Sequence, residues 1–148
     1  MIRNLCLSTY LVLSITFSYA QQENKALNIV FIGNSITFGG GLADRGKDAP
    51  PNEACAWLRQ QQGVGEVNFS NQGVSGHTSV DVLPQTNTDF PRILKAAKSF
   101  ANPKALLVFS IKLGTNDSAV KGPKGAPVSK EDYYNNLKLI TDSLMSAF

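Results

Sequence analysis

Ser35 is the first residue of the chain placed to do chemistry. It stands two positions beyond the glycine that ends an apolar run, in Phe31-Ile32-Gly33-Asn34-Ser35-Ile36-Thr37. A buried parallel strand reads as a continuous run of β-formers, and α/β folds bind their ligands at the carboxyl ends of such strands. A hydroxyl held in the turn there is exposed and within reach of backbone N–H donors, which is what a nucleophilic serine needs. Gly, Asn and Ser also make ordinary strand-ending turns, so this stretch alone leaves both readings open. Two further stretches place glycine and polar side chains behind apolar runs: Asn71-Gln72-Gly73-Val74-Ser75-Gly76-His77-Thr78 and Gly114-Thr115-Asn116-Asp117. Acyl transfer needs a hydroxyl nucleophile and donors aimed where oxyanion charge develops, each donor worth about 10²–10³ in rate. Glycine lets a backbone N–H approach that oxygen unobstructed, and Asn116 offers a side-chain amide.

Three strands must position these residues. Leu27 to Ile32 is the first and Glu66 to Ser70 the second, with Val67 and Phe69 on one face. Ala105 to Ile111, the most apolar run, reads as a central parallel strand. Gly33 to Pro51 reads as a long loop, with Pro50-Pro51 as helix breakers. Asn52 then caps a helix from Glu53 to about Gln62, with Ala54, Trp57 and Leu58 on one face and Gly63 as its stop. Cys55 on this helix reads as a small packing residue. Asp89 caps a helix from Phe90 to about Phe100 whose stripe is Phe90, Ile93, Leu94, Ala97 and Ala101, with Pro91 harmless in the first turn. Gly122 to Pro127 reads as loop. Ser129 with Asp132 three residues on opens a last helix, with the stripe Tyr133, Leu137, Ile140, Leu144 and Phe148. Strand and helix alternate three times, with crossovers long enough for right-handed βαβ units, so the fold class is an α/β sandwich on a parallel sheet.

The chain of 148 residues suits one domain, and 43% apolar with 17% charged residues excludes disorder. Met1 to Ala20 has the pattern of a signal peptide: Arg3, an apolar Leu5 to Phe17, and small residues around Ser18-Tyr19-Ala20. An uncleaved amino-terminal anchor is the alternative. The expectation is an exported protein, periplasmic or extracellular, whose domain is residues 21–148 and which has no membrane contact once the leader is removed. The formal net charge of +3, one unit of it Arg3, is too small and scattered for a nucleic-acid partner. One histidine and, beyond the leader, one cysteine leave no internal disulfide and no metal cluster. Gly41 to Asp48 nearly matches a phosphate-binding loop. It ends in Asp where magnesium needs Ser or Thr, and it follows no strand.

Gly33-Asn34-Ser35-Ile36, Asn71-Gln72-Gly73-Val74-Ser75-Gly76 and Gly114-Thr115-Asn116-Asp117 resemble, in order, the three leading blocks of the SGNH (GDSL-type) hydrolases. The resemblance implies a three-layer α/β/α sandwich with a flavodoxin-like sheet, of which about three strands are present. It implies an esterase without cofactor, acting on a small-molecule or glycan ester. It implies Ser35 as nucleophile, with the Ser35 and Gly76 N–H groups and the Asn116 side chain as the oxyanion hole. Asn34 stands where the family usually has Asp, a position that shapes the turn. Asp117 is expected to bond the loop, and His77 to order it or face substrate. Asn34 and the Lys112 to Ser118 run resemble exported carbohydrate-acting members, so O-acetyl esters of carbohydrates are the expected substrates. A lipid or thioester acyl hydrolase of the same family is one alternative, an inactive remnant or binding module another.

The family's general base is a His in a late Asp-x-x-His motif. These residues contain no such motif, and the one histidine, His77, lies beside Gly76. A serine without its base keeps only a residual ~10³–10⁴-fold over water. The expectation is therefore the amino-terminal part of a longer hydrolase, inactive or weak by itself.

Overall fold

The computed structural model describes residues 24–122 and 126–148. The leader expected over residues 1–20 lies outside them, as does part of the Gly122 to Pro127 loop. Three strands, β1 (Lys25–Gly33), β2 (Val64–Gly73) and β3 (Leu106–Lys112), form one parallel sheet in the order β2-β1-β3. Gly33 pairs with Gly73 on one side and Lys112 on the other, so all three strands end level at one rim. After β2 the chain crosses over β1 to lay down β3. That reversal makes the gap between the carboxyl ends of β1 and β3 the topological switch point, where open α/β sheets bind ligands.

Alternation along β1 builds the two faces. Val30 and Ile32 pack with Phe90, Ile93 and Ala97 of α4 (Phe90–Lys98) and with Ile140 and Leu144 of α5 (Lys130–Ala147). Ile29 faces the other way and packs with Val67 and with Cys55 of α3 (Pro50–Leu58). Helices on both faces make the sandwich three layers. Ser129 opens α5 as expected, its Oγ accepting from Asp132 N at 3.0 Å.

Several local expectations are corrected. The strand expected to be central, β3, lies at an edge among the described residues, with Leu106 exposed, while β1 is central. An apolar run reports covered faces, not the number of paired neighbours. The Gly33 to Pro51 stretch holds two one-turn helices, α1 (Ser35–Phe38) and α2 (Arg45–Asp48). Pro50 and Pro51 open α3 instead of breaking it, because a missing N–H costs nothing in a first turn. Asn52 lies inside α3, and its Nδ2 donates to Arg45 O and Gly46 O. Trp57 is exposed; Pro51 and Cys55 are the buried positions of that helix. Ala101 lies past the end of α4 and is exposed. Asp89 occupies the cap position of α4, yet its side chain bonds no helical N–H.

Cys55 is fully buried, and burial pushes its thiol above the ordinary range against the smaller opposing pull of Arg59. In a Cys6→Ser background, a disulfide reagent at pH 8 is expected to label native protein on the order of 10² times more slowly than urea-unfolded protein, since thiolate and access are both scarce. Equal rates would contradict this packing.

Candidate active site

Beyond Gly33 the chain turns at Asn34, whose Oδ1 accepts from Ile36 N at 3.0 Å and caps α1. Asn34 is buried, and its Nδ2 has no partner among the described residues. Ser35, half-buried, is the first residue of α1; Phe38 N donates to Asn34 O at 3.0 Å and closes the turn. Gly40 N donates back to Ser35 O at 2.8 Å. Ser35 is thus held by a backbone scaffold on both sides, and its Oγ makes no hydrogen bond among the described residues.

The second loop is stitched to this turn. Asn71 Nδ2 donates to Thr37 O at 2.8 Å, while Asn71 Oδ1 accepts from Gly73 N at 2.9 Å. Val74 N donates to Gly33 O at 3.0 Å. Gly40 lies between the loops: a β-carbon there would sit 3.4 Å from Ser35 Cβ and 3.6 Å from Ser75 Oγ. Gly76 follows with φ +84°, a left-handed conformation that favours glycine.

The third loop is stitched to the second. Asn116 Nδ2 donates to His77 O at 2.9 Å, which places the amide on the carbonyl of the residue after Gly76. An amide nitrogen carries two hydrogens, so one remains for a second acceptor. Asp117 is buried; its Oδ1 accepts from Ser79 N at 2.7 Å and its Oδ2 from Gly114 N at 3.0 Å. α5 closes the corner: Asn136 Nδ2 donates to Ser79 Oγ at 2.9 Å and Tyr133 OH to Leu113 O at 3.2 Å. Burial, and then the negative charge of Asp117, raise the Tyr133 phenol above its ordinary range, so it stays a neutral donor.

The structure also shows a network that sequence reasoning missed. His77 Nδ1 lies 2.6 Å from Asp89 Oδ2, and Asp89 Oδ1 accepts from Arg92 Nη2 at 2.9 Å. Arg92 Nη1 donates to Gln72 Oε1, and its Nη2 also reaches Gln72 O at 3.2 Å. Asp89 looked like a helix cap because of its place before an amphipathic run. Nothing in the spacing of residues 72, 77, 89 and 92 announces that they meet.

Ordered strand-end loops, level at one rim and bonded to one another, are the arrangement that the sequence blocks imply. The family model of the GDSL-like lipase/acylhydrolases matches residues 29–147, from β1 to the end of α5. The chain belongs to the GDSL-like lipase/acylhydrolase family. At family level this is the chemistry of ester hydrolysis. No curated protein matches the chain. In this GDSL-like chain Ser35 follows β1, Gly76 follows β2 and Asn116 follows β3, each within a few residues of its strand end.

Proposed function

We propose that this chain forms the acyl-binding half of a serine esterase site. The observation that carries the proposal is the bond from Asn116 Nδ2 to His77 O, which ties the third loop to the second at the residue after Gly76. Ser35 Oγ adds to the ester carbonyl as its proton passes to a base. The resulting oxyanion is held by the N–H groups of Ser35 and Gly76 and by the second Asn116 amide hydrogen. Collapse breaks the bond to the leaving alcohol and leaves the acyl group on Ser35; water, deprotonated in turn, releases the acid. Short acyl esters of carbohydrates are the preferred substrates, a reading supported by the resemblance at Asn34 and Lys112 to Ser118. An amino-terminal leader of the kind expected here would place the enzyme outside the cytoplasm, where such esters are met.

The test must allow for a base that these residues do not supply. Triad members act as a unit, so without the base, loss of the serine costs little further rate. Exogenous imidazole is therefore added as the base. Turnover of nitrophenyl acetate is expected to rise with imidazole in the unaltered chain well beyond the rise in Ser35→Ala, with nitrophenyl octanoate responding less. A preference for octanoate favours the lipid or thioester reading. Identical imidazole dependence of both proteins sinks the nucleophile assignment and leaves a binding module.

A further inference from the structure

His77 follows Gly76 directly, and its backbone carbonyl accepts from Asn116, so two of the three proposed oxyanion donors flank this residue. It is not the oxyanion donor, and the acyl-transfer steps proposed above give its ring no part beyond the loop-ordering or substrate-facing role expected from the sequence. Its orientation is nevertheless built. Asp89 is almost fully buried and bonds both His77 and Arg92. A carboxylate paired with guanidinium offers only acceptor oxygens, so Nδ1 of His77 is the donor in their 2.6 Å contact. In the neutral ring the lone pair then resides on Nε2. The His77 side chain is 24% exposed and its Nδ1 edge is occupied by Asp89, itself 6% exposed, which leaves the Nε2 edge as the one free to meet a ligand. A ring tethered at one nitrogen and free at the other presents a fixed acceptor one residue from Gly76.

We infer that His77 Nε2 accepts a hydrogen bond from a hydroxyl of the substrate, so that the site selects esters with a free hydroxyl near the acyl group, and that Asp89 is the positioning residue that fixes this acceptor. The inference rests on the esterase reading for the location of the ester and deepens it by naming the substrate's second recognition group. Once a bound ester covers the ring and excludes water, Nε2 needs a partner, so the analogue lacking the hydroxyl leaves it unpaired and is discriminated against. Partially acylated sugars and monoacylglycerols share this chemistry. Arg92 and Gln72 act one step further out, holding Asp89 and the end of β2 together.

The chain contains a single histidine, so the imidazole nitrogens of an untagged, ¹⁵N-labelled protein give one unambiguous set of signals. The experiment uses Ser35→Ala, which keeps an added ester intact, at pH 8. The free protein is expected to show a protonated Nδ1 and an unprotonated Nε2. Adding a monoacetylated methyl pentoside or monoacetylglycerol is expected to move the Nε2 resonance upfield, saturably; the larger response identifies the source. The O-methylated counterpart of each is expected to leave it in place. Asp89→Asn is expected to mix the two tautomers and weaken the response. A proton on Nε2 in the free protein overturns the inference without needing any variant. So does an equal response to the O-methylated esters, or none to the hydroxylated ones. An unchanged tautomer in Asp89→Asn removes the positioning role. Nitrophenyl acetate has no hydroxyl, so Ser35-dependent turnover of that ester can stand while this inference fails.

Discussion

Gly73→Ala is expected to lower Ser35-dependent turnover by about 100-fold, the loss that follows a shift of roughly 1 Å in a reacting group. A β-carbon on Gly73 would lie 2.4 Å from Phe38 N, 2.8 Å from Thr37 C and 2.9 Å from Phe38 Cα. These are backbone atoms of α1, so no side-chain rotation relieves the contact. The end of β2 and α1 must part, which pulls on the Asn71 bond to Thr37 O and moves Ser35 with its helix. Overpacking of this kind costs about 1–3 kcal/mol in stability, a fraction of a domain's total, so the variant folds and its defect is positional. Turnover with imidazole, read beside a urea melt, separates the two effects. Wild-type turnover from a folded Gly73→Ala protein would contradict the placement of α1 against β2.

Asp117→Ala is expected to be the most destabilising single change in the rim, by about 2–6 kcal/mol. Asp117 satisfies two backbone donors, Ser79 N and Gly114 N, and each buried donor left unpaired costs roughly 1–3 kcal/mol. Asp117→Asn is expected to recover little, because one end of an amide is itself a donor and would face an N–H. Urea unfolding midpoints of the two variants check this. Near-wild-type stability in Asp117→Asn would mean that only one of the two bonds carries weight.

The parts of this fold that follow from local chemistry were legible in the sequence. β1 carries the run of β-formers Ile29 to Ile32 ended by glycine, and Ser129 with Asp132 marks the start of α5 where the structure has it. What failed did so for identifiable reasons. The one-turn helices α1 and α2 are too short to show a period, and paired prolines read as breakers when they are first-turn residues. Position within a sheet is a long-range property, so the apolar Ala105 to Ile111 run could not reveal that β1, not β3, is the middle strand among the described residues. Within the site, the order of the three blocks pointed to one rim, and the level pairing of Gly33 with Gly73 and Lys112 is what places them there. The contact between His77 and Asp89 joins a loop to a helix start and leaves no periodic trace.

The central claim is that Ser35 is the nucleophile held where the three loops meet. The most direct measurement is the site of acylation when the chain is incubated with nitrophenyl acetate and imidazole, quenched in acid and mapped by peptide mass spectrometry. The acetyl group is predicted on Ser35, reduced when Asn116 is replaced by alanine. Acetylation of Ser75, its neighbour across Gly40, or of surface lysines with Ser35 unmodified, would contradict it.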